Sequence, residues 1–278
     1  MSALRERDLS EATTAEIKQA FFDAVVICPF VAARIKSSDI GRAFYRARKN
    51  PGNPDDPSQY SYPNPDQTKV HRLRANLEDR PVFYGSDLPF TAFLEVRPGP
   101  GDEVFLSEWS LHCTRQILQL GFLPGNMPSH NPWFRYAVNQ HLAVARHTES
   151  LGAYGGHIEN LYQYVAHLFA EEESPYPLSS MLADSSLYGD DVDCIVYPSQ
   201  GMRSEQCNIA VHPRVIDAFG ELQRVARLEV VRVEQTYRYK LHQVGYPRNG
   251  KIQWEAPTRA NTNWNGIKLL PFDQRGEM

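Results

Sequence analysis

Arg74 and Asn76 in HRLRAN, Tyr84 in PVFYGS, Glu95 in TAFLEVRP and Ser199 in DCIVYPSQ are the residues whose types could act together on a charged substrate. Arginine presents a planar fork of donors that fits a phosphate two bonds at a time. A tyrosine ring offers its π face to a flat cation. A fixed carboxylate stabilises positive charge that develops as a bond to a sugar breaks. Serine and asparagine add hydrogen bonds. Ten residues separate Arg74 from Tyr84, and eleven separate Tyr84 from Glu95.

Each residue also has a plainer reading. Arg74 could be a surface arginine, and Arg72 stands two positions earlier as its alternative. Tyr84 could be a core tyrosine on a strand. Glu95 lies between Leu94 and Val96, which points to partial burial; the competing reading is a solvated carboxylate beside Arg97, a pairing worth little. Ser199 follows Pro198 without a Gly-x-Ser-x-Gly elbow, so a nucleophilic serine is disfavoured. Asn208 could cap a strand or touch a ligand. Arg46 and Arg48 in FYRAR fall on one face of a strand by its period of two.

These segments resemble the RES domain, a family named for its arginine, glutamate and serine and best known as the toxin half of bacterial toxin–antitoxin pairs. The stretch Tyr176-Pro-Leu-Ser-Ser-Met-Leu-Ala-Asp, then Tyr197-Pro198-Ser199 and Cys207-Asn208-Ile209-Ala210, is similar to the family's C-terminal half, and the motifs together span residues 43–213. One departure is Leu73, where the family usually has glycine before the arginine.

The resemblance implies an enzyme that binds NAD as substrate and cleaves its nicotinamide–ribose bond. It implies a fold like that of the diphtheria-toxin-like ADP-ribosyltransferases, a mixed α+β sheet core with helical segments inserted between the strands. Glu95, Arg74, Tyr84 and Ser199 would be catalytic, and Arg46, Arg48, Arg74, Asn76, Tyr84, Ser199 and Asn208 would hold the nucleotide. Water, inorganic phosphate or a protein side chain could accept the ADP-ribose, and no residue pattern chooses among them. A protein that binds NAD without cleaving it is the alternative of another class. A free NAD-consuming enzyme would harm its own cell, so the resemblance also implies an antitoxin partner with a helix-turn-helix domain. Homo-oligomer formation is left open.

Composition bounds the rest. Hydrophobic residues make up 42% and charged residues 22% of 278 residues, as in soluble globular proteins. A net charge of −4 argues against direct nucleic-acid binding, which needs clustered Lys and Arg. The local exception runs from Arg34 to Lys49, where Arg34, Lys36, Arg42, Arg46, Arg48 and Lys49 face only Asp39. It reads as a solvated basic strip or as a strip partly meeting phosphates or an acidic partner. Cys28, Cys113, Cys194 and Cys207 form no CxxC pair, which fits free thiols in a reducing cytoplasm. His141 and His147 are six apart and share no helical face, so no metal is expected. Phe21 to Ile35 contains Asp23, Pro29 and Arg34; it is too short to span a bilayer and reads as a core helix ending near Pro29.

The elements that must position the chemistry follow from periodicity and punctuation. Thr13 or Thr14 should cap a helix through Glu16, Ile17, Ala20, Phe21 and Ala24. Residues 43–48 should form a strand, 49–65 a surface loop, and 82–84 a short strand broken at Gly85. Capping by Ser86 or Asp87 with Pro89 in the first turn favours a short helix at Glu95, although Ala92, Leu94 and Val96 also alternate as in a strand. A strand over 103–111 should precede a helical section at 133–188, with helices near 134–145, 158–170 and 178–187. Short buried strands are expected at 194–197 and 209–212. Val231 to Leu241 alternates as one long strand or as a hairpin. The expected organisation is an N-terminal helical extension over 1–42, a RES-like domain over 43–255 and a C-terminal arm over 256–278.

Overall fold

The computed structural model describes residues 8–9, 11–24, 33–35, 43–66, 69–112, 115–119, 121, 127–150, 152, 155–189, 192–199, 206–233, 237–264 and 267–268. Its elements begin with α1 (Thr14–Ala24), β1 (Ala33–Ile35), β2 (Ala43–Lys49), a 3-10 turn (Pro57–Tyr60), β3 (Phe83–Ser86), α2 (Pro89–Glu95) and β4 (Glu103–Leu111). Next come β5 (Arg115–Gln119), α3 (Phe134–Ser150), α4 (Gly155–Glu171), α5 (Pro177–Leu187), β6 (Cys194–Pro198) and β7 (Cys207–Val211). The chain continues through α6 (Pro213–Phe219), β8 (Gly220–Val233), β9 (Tyr237–Arg248), β10 (Lys251–Glu255), β11 (Asn263–Trp264) and β12 (Ile267–Lys268). This is a mixed α plus β protein. No helix of the described residues is long and apolar enough to cross a membrane.

Contacts divide the chain into two units. The first comprises Met1–Lys36, Pro63–Val82 and Thr114–Pro213. Within it β1 pairs with β5, β5 with β6 in parallel, and β6 with β7. Parallel neighbours need a long crossover, and the helical section α3–α5 supplies it between β5 and β6. α4 and α5 lie against β6, and α1 packs on α5 with Ile17, Ala20 and Phe21 buried. Thr13 starts α1 as a capping box: its N–H and hydroxyl reach Glu16 Oε2 at 2.8 and 2.7 Å, and Glu16 N–H reaches Thr13 Oγ1 at 3.3 Å. The helix is described as far as Ala24, and its expected continuation toward Pro29 lies outside the described residues.

The second unit comprises Ser37–Tyr62, Phe83–Cys113 and Arg214–Met278. Its strands follow the order β3-β2-β4-β8-β9-β10, with each neighbouring pair antiparallel. One face buries Tyr45, Leu106, Ala226, Leu228 and Tyr239 beneath Ala92 and Phe93 of α2. The alternation between Val231 and Leu241 resolves into the hairpin β8–β9. Gly245 of β9 has no room for a side chain, since a Cβ there would stand 2.8 Å from the Trp254 ring of β10.

Three sequence expectations change. The strand at Tyr84 runs on through Gly85 to Ser86, which pairs with Tyr45. α2 starts from Leu88 with no side-chain cap, so Pro89 in its first turn, and not Ser86 or Asp87, marks the entry. Trp264, in the expected terminal arm, is completely buried in the core of the second unit. Arg224 holds it there: its guanidinium lies 4.5 Å from the Trp264 ring centre and donates to the carbonyls of Asn261 and Asn263 at 3.1 and 2.9 Å.

Candidate functional site

Arg46 sits on β2 with its guanidinium 5.5 Å from the centre of the Phe83 ring. Its NH1 donates to the Tyr84 carbonyl at 2.9 Å, while its buried Nε has no hydrogen-bond partner among the described residues. Burial and then the neighbouring Arg48 lower its pKa to about 10, and only the Tyr84 phenol acts in the opposite direction. Among the described residues no carboxylate acts on it, so the half-buried Arg46 is a partly desolvated cation without a matching anion there. Arg48, on the same strand face, donates from NH1 to the Gln59 carbonyl at 2.7 Å.

Tyr84 is half-buried on β3, in the same unit as Arg46 and joined to it through its carbonyl. Glu95 is the last residue of α2, which packs on β2, β3 and β4. The partial burial expected from Leu94 and Val96 is not found, and Glu95 is exposed. The reason is helical rotation: α2 buries Pro89, Thr91, Ala92 and Phe93, and Leu94 packs against the same core, which leaves Glu95 on the side that faces water.

Arg74 is in a different situation. Only 8% exposed, it donates from NH1 to the carbonyls of Leu168 and Phe169, both at 2.9 Å, and from NH2 to that of Glu172 at 2.7 Å. The Tyr176 ring lies 4.6 Å from its guanidinium carbon. Asn76 is buried, and its Nδ2 donates to the carbonyls of His71 and Leu77 at 2.9 and 2.7 Å, which closes the loop that carries Arg74. Leu73 and Asn76 pair their backbones across this turn.

Ser199 and Asn208 share the β6–β7 hairpin, where Ser199 N–H bonds the Gln206 carbonyl at 3.0 Å and Asn208 stands opposite Tyr197. Both are buried. Thus Arg46, Arg48, Tyr84 and Glu95 belong to the second unit, and Arg74, Asn76, Ser199 and Asn208 to the first.

Sequence reasoning did not single out Glu172, and it named Tyr176 and Ser179 only as part of a family-like stretch; the three complete the surroundings of Arg74. The Glu172 carboxylate accepts from the N–H groups of Leu178 and Ser179, both at 2.9 Å, and from the Ser179 hydroxyl. The available signal was an acidic residue just before Pro177 opens a helix. A serine–histidine contact also occurs on the second unit, with Ser110 Oγ 2.9 Å from His112 Nε2. Glu221 approaches that same nitrogen at 3.3 Å, whereas a nucleophilic relay needs base and orienting acid on different ring nitrogens. Among the described residues no group of three or more His, Cys, Asp or Glu could hold a metal ion. No family model matches the chain, and neither a curated protein nor a solved structure matches it.

Proposed function

We propose that this chain is a RES-type enzyme with an ADP-ribosyltransferase-like fold that binds NAD and cleaves its nicotinamide–ribose bond, with Arg46 and Arg48 holding the pyrophosphate. The observation that carries the reading is Arg46, a half-buried arginine whose Nε is buried and, among the described residues, has neither a hydrogen-bond partner nor a compensating carboxylate. Such a group is costly in an isolated protein and becomes favourable when a phosphate meets it. Tyr84, joined to Arg46 through its carbonyl, would place its ring against the nicotinamide–ribose. As the glycosidic bond breaks, its electron pair leaves with nicotinamide and positive charge grows on the ribose. Glu95, exposed at the end of α2, would stabilise that charge while an acceptor attacks. A bacterial cytoplasmic toxin held in check by a helix-turn-helix antitoxin is the biological setting this activity suits.

The test is to incubate the full chain with NAD, with and without inorganic phosphate, and to identify the products. Free ADP-ribose indicates hydrolysis, a phosphorylated ADP-ribose indicates phosphorolysis, and label on protein indicates transfer. Binding without turnover assigns a non-catalytic NAD protein, and absence of binding overturns the proposal. Expression in a bacterial host should slow growth and lower cellular NAD, and Tyr84→Ala should relieve both.

A further inference from the structure

We infer that Arg74 is a positioning residue: it locks the corner between α4 and α5, and it influences nucleotide binding only through that corner. The ligand in this inference rests on the NAD reading; the lock itself does not. Three carbonyls at the end of α4 and just beyond it, those of Leu168, Phe169 and Glu172, take the NH1 and NH2 donors of Arg74. Carbonyls at a helix C-terminus carry the negative end of the helix dipole and favour a cation there. The Tyr176 ring covers the guanidinium at 4.6 Å, and Tyr176 holds a left-handed backbone at φ 58, a conformation disfavoured for a residue with a side chain. Three of the five Arg74 N–H donors are thus committed to carbonyls, and the ring of Tyr176 covers one face of the guanidinium.

Glu172 extends the lock. The residue whose carbonyl Arg74 grips is also the one whose carboxylate caps the first turn of α5 at Leu178 and Ser179. The other end of the same loop is fastened to the other end of α5: Tyr188 hydroxyl donates to the Pro81 carbonyl at 2.7 Å, and Arg80 lies 3.5 Å from Asp184. Residues 74–81 therefore bind both ends of α5. Arg46 offers the contrast, since its Nε is buried without a partner among the described residues.

The experiment compares Arg74→Ala, Arg74→Lys and Glu172→Ala in the full chain by thermal unfolding, amide hydrogen exchange and NAD calorimetry well below Tm. Glu172→Ala loosens the corner while leaving Arg74 in place. Arg74→Ala and Glu172→Ala should each lower Tm by roughly 4 °C or more and speed exchange at Leu178 and Ser179. NAD affinity should fall equally in both or in neither. Arg74→Lys should recover part of the Tm and of the exchange protection, because an ammonium still meets last-turn carbonyls. Two results overturn the inference. One is a loss of affinity of about tenfold or more in Arg74→Ala that Glu172→Ala does not share. The other is unchanged Tm and exchange in Arg74→Ala. If that variant fails to fold, Arg74→Lys takes its place in the comparison with Glu172→Ala. A wild-type protein that binds no NAD sinks the NAD reading, while Tm and exchange still decide the lock.

Discussion

Arg46 and Glu95 illustrate opposite trades between stability and chemistry. The lowered Arg46 pKa means that the folded state carries a charge it disfavours at every pH below about 10, and that the cost fades only as pH rises beyond that toward the ordinary arginine range. Replacing it with a flexible apolar side chain removes that cost and sacrifices one hydrogen bond to Tyr84. Arg46→Met should therefore raise the stability of the ligand-free protein by about 1 kcal/mol, or roughly 2–4 °C in Tm, at neutral pH. The same variant should weaken NAD binding by about tenfold or more. Calorimetry and thermal unfolding on one preparation check both, and a variant that loses stability without losing affinity would place Arg46 in the scaffold. Glu95 is exposed, so Glu95→Gln should leave Tm within about 1 °C. Under the NAD reading it should slow cleavage about a thousandfold, near 4 kcal/mol, as measured by nicotinamide release at saturating NAD. The sequence showed both residues and misjudged one environment. Neighbouring Leu94 and Val96 suggested burial, but successive helical residues point about 100° apart, so apolar neighbours in sequence do not bury the residue between them.

At the scale of elements, α5 carries a group that the fold holds against its own preference. Asp184 is buried, and burial raises its pKa above 3.8 despite the opposing charges of Arg80 and Lys18. A carboxyl whose folded pKa is raised costs nothing below the unfolded value, where both states are protonated. The cost grows as pH rises through the folded pKa and is complete above it. Asp184→Asn should raise Tm at pH 7, and the advantage should vanish as pH falls toward 4. An Asn variant less stable than wild type at pH 7 would show that pairing with Arg80 outweighs desolvation. Several elements were legible because their signals are local. The Thr13–Glu16 box fixes the start of α1, and Pro177 opens α5. β5 and β10 were missed, each a five-residue strand whose identity comes from its partner. The parallel pairing of β5 with β6 was equally hidden, because it joins Ile117 to Cys194 across three helices.

For the whole molecule, the decisive surprise is Trp264. Tilted against Tyr45 at 6.2 Å and covered by Arg224, it completes the core of the second unit from near the end of the chain. Trp264→Ala should destabilise the protein by about 3–5 kcal/mol, read from denaturant unfolding followed through exchange of the β8–β9 amides. A loss below about 1 kcal/mol would mean that residues 256–264 merely lie on the surface. Polar punctuation such as Thr258, Asn261 and Asn263 had marked this stretch as an arm. Those same residues form the turn that delivers the tryptophan: Asn261 Oδ1 accepts from Thr258 N–H at 2.7 Å, and Trp264 Nε1 donates to the Asn261 carbonyl at 3.0 Å.

By itself the sequence determined the α plus β class, the capped first helix, the helical section between strands and the candidate residues with their order and spacing. All of these depend on side-chain type and on patterns that repeat within a few residues. Tertiary structure decided what each candidate is free to do. The same residue type, arginine, became a clamp on three carbonyls at position 74 and a half-buried cation at position 46, its buried Nε without a partner among the described residues. That difference comes from partners 94 to 98 positions away in the first case, and from the desolvation of strand β2 in the second. Burial and the fate of each donor are set by what the folded chain brings alongside, and no local pattern records it.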